Sequence, residues 1–287
     1  YDPFPELWVR RYNSMLEARE KYGLCGVMES HHYGFWPSFI SKIEKIMFTR
    51  PFVSGDEAIR AVAEELYGPD CLDEVLEAWT LLSQAHIHYP CTNEDQYGPF
   101  RIGPAYPFIL GRQVSIPTVP HAIHGGNKIT ITDYAYSSGA QLEVGFRQTR
   151  IDGEIRCLEC MRQLQQQARA CLEEVCQRLE GIRKADCLRL CNMIRFMENT
   201  ATTAIHAKQW AKLRWQFPLL TEKEALQRWV DSMTALAQAE IQNAEATIPL
   251  AEADSRLGWE PSMEYIGDAR HLRWKIRQVT QVMERLH

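Results

Sequence analysis

One short turn near the amino terminus concentrates side chains that can do acid–base chemistry and bind flat ligands. The stretch GVMESHHYGFWPSF contains five candidate binding residues: Glu29, His31, His32, Tyr33 and Trp36. A carboxylate can act as acid, base or nucleophile, or can accept a hydrogen bond from a sugar hydroxyl. Aromatic side chains add large flat faces on which a ring can lie. The competing interpretation is that the histidines bond to the backbone and the aromatic rings fill a core.

The elements around this turn follow the order helix, strand, loop and helix. PELWVRRYNSMLEAREKYG has a helical apolar face and ends at Gly23. LCGVM, residues 24–28, is short and apolar, as expected of a buried strand. A second amphipathic helix follows, with Ser38 as its predicted N-cap. Ligand groups gather after strand ends in a (β/α)8 barrel, so residues 1–50 are predicted to be the end of an α/β barrel.

A second candidate site lies in the stretch AEADSRLGWEPSMEYIGDA, between two predicted helices. Asp254 and Arg256 can form a charge-assisted pair. Alternatively, Asp254 accepts a hydrogen bond from a sugar hydroxyl while Trp259 or Tyr265 stacks on the ring. A connector held together by its own ion pair is an equally open interpretation. We include Asp254, Arg256 and Trp259 among the predicted substrate-binding residues.

The remaining histidines do not have the spacing of a known metal motif. His86 and His88 lie two residues apart at a predicted helix end, and the HExxH pattern is absent. Capping or an interaction with the helix dipole is the preferred interpretation. We predict no metal site and no cofactor. A metal-dependent hydrolase remains an alternative, and its ligands would be His86, His88, His121 and His124.

From residue 51 onward the sequence predicts helices, interrupted by an irregular insertion at about 91–150 that is rich in Pro, Gly and aromatic residues. Within that insertion, KITITDY is predicted as a short strand. Long breaker-free stretches then predict a bundle-like layer. The predicted fold is therefore mainly α, with two domains: the small α/β remnant at 1–50 and a helical domain at 51–287.

Local signals give several helix boundaries. Ser54 with Glu57, and Thr221 with Glu224, have the spacing of capping boxes. Pro249 is predicted to stop or kink the helix that contains it.

The overall composition excludes some classes of protein. The chain has 287 residues and a formal net charge of -5, so no basic field indicates a nucleic acid partner or an anionic membrane. No apolar run is long enough for a transmembrane helix. Nine cysteines, mostly in helical stretches, are typical of reduced thiols that serve as small apolar residues, which favours the cytoplasm. The single pair Cys157 and Cys160 is weak evidence for metal.

Four stretches carry a resemblance to known enzymes. GVMESHHYGFWPSFISKIEKIMF resembles the last strand, loop and helix of a TIM-barrel glycoside hydrolase. DEAIRAVAEELYGPDCLDEVLEAWTLLSQA is similar to the helical region after the barrel in bacterial α-glucuronidase-like and hexosaminidase-like enzymes. NTATTAIHAKQW and EADSRLGWEPSMEY resemble the C-terminal helices of large bacterial glycosidase-like proteins.

The resemblance implies that the chain is a fragment, as its first residue, Tyr1, also suggests. The catalytic acid pair would lie on earlier barrel strands, so no catalytic residue is assigned and the chain alone is expected to be inactive. We expect it to form one wall of a carbohydrate cleft and a helical scaffold. The alternative is a non-catalytic interaction module or homodimer, in which the long helices bury Trp210, Trp215 and Trp229 against a partner.

Overall fold

The regular structure of the chain is dominated by helices, which confirms the predicted mainly α fold. The computed structural model describes residues 3–26, 38–49, 51–90, 98–111, 113–117, 129–132, 144–260 and 264–286. These residues form two compact units, and each is assembled from two separate segments of sequence. The first unit comprises Tyr1–Tyr89 and Gln163–Arg195, and the second comprises Pro90–Arg162 and Phe196–His287.

The first unit is built from short amphipathic helices and from residues 163–195 of two longer helices. Its short helices are α1 (Pro5–Tyr22), α2 (Phe39–Phe48), α3 (Gly55–Tyr67) and α4 (Leu72–Ile87). Trp79 of α4 lies at the centre of the packing and is almost fully buried. The ring of Phe39 stacks on it, with centroids 4.4 Å apart. This aromatic contact fixes α2 against α4.

The ends of these helices follow the predicted capping chemistry. The Glu57 carboxylate accepts a hydrogen bond from Ser54 N at 2.8 Å, and Ser54 Oγ accepts one from Glu57 N at 3.2 Å. This is the predicted capping box. Gly23 has a φ of 71°, the left-handed conformation that ends α1. Ser38 is the N-cap of α2, as predicted.

The strand predicted at 24–28 is not found over its described part. Residues 24–26 are exposed and belong to no strand. The reason is local, because the Leu24 N–H donates to Ala18 O at 3.4 Å and so completes the end of α1. The apolar residue that follows Gly23 therefore forms part of the C-terminal end of α1. The other two residues of the predicted strand lie outside the described residues.

The two long helices, α6 (Val144–Arg178) and α7 (Gly181–Gln216), are divided between the units, and the second unit contains their residues 144–162 and 196–216. The elements that belong wholly to the second unit are α5 (Pro99–Ile102), β1 (Gln113–Ile116), β2 (Ile129–Thr132), α8 (Lys223–Ala253), β3 (Trp259–Glu260), β4 (Glu264–Tyr265) and α9 (Ala269–Glu284). Helices α8 and α9 pack along each other. None of the described helices has the length and apolarity needed to cross a membrane.

A small antiparallel hairpin packs on the helices of this unit. Strands β1 and β2 pair with Gln113 opposite Thr132 and Ile116 opposite Ile129. This confirms the short strand predicted in KITITDY. The side chain of Ile116 is fully buried in a cluster that also contains Tyr106 and other apolar residues of the unit.

Three boundaries differ from the predictions. Helix α6 begins at Val144, inside the predicted irregular insertion. Helix α8 has Glu222 at its N-cap without a side-chain bond, so the capping box predicted at Thr221 and Glu224 is wrong. The helix also continues through Pro249, which stands one turn before its end. Pro249 removes one backbone donor, and the buried side chains of the last turn hold that turn in place.

Candidate functional site

The two predicted sites have different outcomes in the structure. All five residues of the first turn, Glu29, His31, His32, Tyr33 and Trp36, lie outside the described residues. The second site falls within the connector between α8 and α9, residues 254–268, which we call the connector site. The structure describes this segment except for residues 261–263.

Asp254 and Arg256 form the ion pair that their spacing predicts. Arg256 Nε donates to Asp254 Oδ1 at 2.8 Å, and a terminal guanidinium nitrogen donates to Oδ2 at 2.6 Å. The Arg256 backbone N–H also donates to Oδ1, at 3.1 Å. The Asp254 side chain is 9% exposed and that of Arg256 is 31% exposed. The two-pronged contact fixes the plane of the guanidinium at the end of α8.

A tight backbone contact closes the connector site into a loop. Strands β3 and β4 pair antiparallel, with Trp259 opposite Tyr265. Below this pair, Gly267 N donates to Gly258 O at 3.0 Å. A Cβ added at Gly258 would lie 2.9 Å from the backbone nitrogen of Asp268, so only glycine fits there.

The far side of the connector is anchored by the first turn of α9. Asp268 caps this helix, because its Oδ1 accepts a hydrogen bond from His271 N at 2.9 Å. The same carboxylate bonds to His271 Nδ1 at 2.7 Å, and Nε2 bonds to Pro117 O at 2.6 Å. Burial would raise the pKa of Asp268, but the bonds from His271 outweigh it and hold that pKa below its usual value.

A buried polar cluster, which the sequence analysis did not single out, joins α7, α8 and α9. Glu240 of α8 and Lys275 of α9 form an ion pair in which both side chains are 0% exposed. The Glu240 carboxylate also accepts from Thr203 Oγ1 at 2.6 Å and contacts His206 Nδ1 at 2.5 Å. Lys275 Nζ donates to Pro104 O at 2.7 Å. We call these residues the Glu240 cluster.

Burial and pairing act against each other in this cluster. Burial would raise the pKa of Glu240, but Lys275 and the hydrogen bond from His206 outweigh it and lower that pKa. For Lys275, burial outweighs the attraction of Glu240, so its pKa is lowered as well. Pairing therefore decides the pKa of Glu240, whereas burial decides that of Lys275. The reason is that Glu240 has several donors while Lys275 has one anionic partner. Both carboxylate oxygens of Glu240 are engaged by these partners, which is typical of a structural pair.

The sequence contains a signal for the acidic member of this cluster, but not for its partners. The eight buried positions of α8 lie along one face of the helix; they are Trp229, Met233, Ala237, Glu240, Ala244, Thr247, Leu250 and Ala251. Glu240 therefore occupies a core position of an amphipathic helix. A carboxylate at such a position needs a buried partner, and that partner was the missing information.

A second buried ion pair joins α6 and α7 within the same unit. Lys208 Nζ donates to Glu154 Oε2 at 2.6 Å, and Arg150 Nε donates to Oε1 at 2.7 Å. Burial would raise the pKa of Glu154, and the two cations outweigh it and lower that pKa.

The histidines considered as metal ligands have other surroundings. His86 stacks on the Phe4 ring with centroids 4.3 Å apart, and His88 follows the last residue of α4 as its C-cap. His121 and His124 lie outside the described residues. Within the described ranges, one group of three or more His, Cys, Asp or Glu side chains is close enough to hold an ion. It consists of Cys176, Cys187 and Cys191 in the first unit.

The connector site therefore combines a fixed aspartate–arginine pair with two aromatic positions brought opposite each other. Comparison of the chain with models of known families, with curated proteins and with solved structures gave no match.

Proposed function

We propose that this chain is the C-terminal helical part of a carbohydrate-active enzyme, a glycoside hydrolase, and that the connector site forms part of its sugar cleft. The observation that carries the proposal is the pairing of Trp259 with Tyr265 next to the Asp254–Arg256 pair. Sugar rings are bound by stacking and by hydrogen bonds from charged groups, and the connector provides both kinds of residue within twelve positions.

The packing at the two ends of the connector supports a binding role. Gly258 packs directly on the backbone of Gly267 and Asp268, and Asp268 caps α9. A site whose residues are fixed before the ligand arrives loses less entropy on binding. A long flexible connector would lack this advantage.

The parent enzyme would supply the catalytic groups. Glycoside hydrolysis uses two carboxylates on either side of the glycosidic bond. The resemblance of the first 50 residues to a barrel end implies that those groups stand on other strands of the barrel. The chain then acts as scaffold and cleft wall, with Glu29, His31, His32, Tyr33 and Trp36 as further cleft residues. We place the enzyme in the bacterial cytoplasm, because the eight described cysteines are all free thiols.

The test is ligand-observed saturation-transfer NMR on the full chain with hexoses, pentoses, uronic acids and N-acetylhexosamines. Trp259→Ala and Asp254→Asn should weaken the transfer from the sugar that binds, and Glu29→Ala tests the first turn in the same way. Tyr22→Ala is the matched control, because Tyr22 is 74% exposed and stands far from the connector in sequence. No transfer to the folded wild type from any sugar would refute sugar binding by this chain.

The rival function, a helical dimerisation module, loses part of its basis. Trp210 is 3% exposed and donates from its indole nitrogen to Ile109 O at 2.9 Å. Trp229 donates to Leu213 O at 2.7 Å and packs on Phe217. The chain itself therefore covers these two tryptophans, and a partner would have to use other surfaces. Dimerisation remains a prediction, which the oligomeric state at rising concentration would test.

A further inference from the structure

Three cysteines from two neighbouring helical segments meet inside the first unit. Cys187 and Cys191 lie four residues apart on α7, so they share one face of that helix. Cys176 approaches them from α6, with its Sγ 3.8 Å from that of Cys191. The three sulfur atoms all lie within 4.8 Å of one another, and all three residues are buried. We call this group the trithiol cluster.

The separation of the sulfur atoms matches that of thiolates around one metal ion. A metal–sulfur bond of about 2.3 Å places two sulfurs about 3.8 Å apart in tetrahedral geometry and about 4.0 Å apart in trigonal geometry. Disulfide-bonded sulfurs are only about 2.05 Å apart, so the observed 3.8 Å is not a disulfide. Soft thiolate ligands select Zn²⁺ and Cu⁺ over hard cations.

We propose that the trithiol cluster is a binding site for one thiophilic cation of the Zn²⁺ or Cu⁺ class, held by Cys176, Cys187 and Cys191. The cation would fasten α6 to α7 beside their connecting turn. Such a site is independent of the connector site, which lies in the other unit.

Burial favours the protonated form of Cys176 and raises the pKa of that thiol to about 11. Metal ligation requires thiolates, so each thiol that binds releases its proton to solvent.

The trithiol cluster lies in buried surroundings that include Tyr67. Burial raises the pKa of the Tyr67 hydroxyl, and charge on the three sulfurs raises it further. The sulfur of Cys187 donates to Leu172 O at 3.4 Å, a bond that ligation would replace. A buried site of sulfur ligands excludes the several waters that Mg²⁺ keeps, which leaves thiophilic ions.

The test is metal binding by the full chain, purified with a thiol reductant and stripped with a chelator. Zn²⁺ and Cu⁺ are titrated separately against a chromophoric competitor, and Cd²⁺ serves as a spectroscopic probe through its sulfur-to-metal charge-transfer band. We expect about one equivalent of Zn²⁺ or Cu⁺ per chain, with proton release on binding. Cys187→Ser and Cys191→Ser should each weaken binding by more than about 100-fold and reduce the Cd²⁺ band.

Matched controls separate the site from ordinary thiol chemistry. Cys71 is buried in the same unit but lies outside the cluster, and Cys171 is a half-buried residue of α6. Cys71→Ser and Cys171→Ser should leave the affinity within about threefold of the wild type, well short of the loss expected for a ligand. Cys187→Ala removes the same sulfur without burying a hydroxyl. If its circular dichroism matches that of the wild type, weaker metal binding by this variant reflects the lost ligand and not a loss of folding. Failure of the folded wild type to bind either cation, or equal binding by the cluster variants, would overturn the proposal.

Discussion

The substitution Glu240→Gln should leave the Lys275 ammonium buried without an anion. Both side chains are 0% exposed, and breaking such a pair typically costs about 3–5 kcal/mol. The loss of unfolding free energy cannot exceed the free energy needed to deprotonate Lys275, because the buried ammonium can give up its proton. Its ordinary pKa is 10.5, so deprotonation at pH 7 costs about 1.4 kcal/mol for each of about 3.5 pH units, or about 5 kcal/mol.

This ceiling predicts how the penalty depends on pH. In the variant, burial without the carboxylate favours the neutral form of Lys275 in the folded state, whereas the unfolded state keeps the proton below the ordinary pKa of 10.5. The unfolded state then binds more protons, so the free energy of unfolding rises with pH. We expect the penalty at pH 9 to be about 2–3 kcal/mol smaller than at pH 7, since each pH unit contributes up to about 1.4 kcal/mol.

The assay is urea unfolding at pH 7, 8 and 9, followed by far-ultraviolet circular dichroism. The matched control is Glu252→Gln on the same helix, because Glu252 pairs with Arg273 in a contact where both side chains are 51% exposed. That control should change the free energy of unfolding by less than about 0.5 kcal/mol at every pH. A penalty below about 1 kcal/mol for Glu240→Gln, or one that does not shrink with pH, would refute the buried pair.

Three further predictions concern the connector and the capped helix. Gly258→Ala should destabilise the chain by about 1–3 kcal/mol in urea unfolding because its Cβ meets backbone, whereas Gly111→Ala, with no atom within 4 Å of the new Cβ, should not. Asp268→Ala should cost about 1–2 kcal/mol in the same assay because α9 loses its N-cap and His271 loses a partner. The lowered pKa values of Glu240 and Asp268 contribute stability that is present above pH 4.5 and lost as pH falls through their folded values, so the urea midpoint should fall between pH 5 and pH 2. An unchanged midpoint over that range would contradict the last of these.

Boundaries that rest on neighbouring residues were predictable from the sequence. The capping box at Ser54 and the left-handed Gly23 follow from chemistry within four residues, and both are found. The predictions of boundaries failed where contacts between residues distant in sequence determine the local structure. Helix α8 continues through Pro249 because buried neighbours hold its last turn, and Leu24 ends a helix where an apolar run suggested a strand.

The partners of the buried charged residues and cysteines could not be predicted, because contacts between residues distant in sequence bring them together. Lys275 lies 35 residues from Glu240, and only the packing of α8 on α9 brings them together. The cysteines show the same limit, since Cys176 and Cys191 are 15 residues apart on different helices. Their burial as small apolar residues was predictable, but the meeting of three sulfurs at one point required the turn between the helices. By contrast, Asp254 and Arg256 are two positions apart in the sequence, and their pairing was predictable.

The replacement of both charged partners tests why the core contains them at all. A buried ion pair can be exchanged for apolar side chains with little loss of stability, and sometimes with a gain of about 1–4 kcal/mol. The double variant Glu240→Leu/Lys275→Met should therefore be at least as stable as either single variant at pH 7. Thr203 keeps the hydrogen bond that it accepts from Asn243 at 3.0 Å, and His206 is 16% exposed and can reach water.

What the double variant should lose is a unique alignment of the helices. Four of the eight buried residues of α8 are alanine or threonine, and such side chains at a spacing of three or four residues fit α9 in more than one register. The charge pair favours the register in which Glu240 meets Lys275, since any other register leaves both charges buried without a partner. We expect extra or broadened amide resonances from α8 and α9 in the double variant, while its urea midpoint is retained. A single sharp set of resonances would show that apolar packing alone fixes the register.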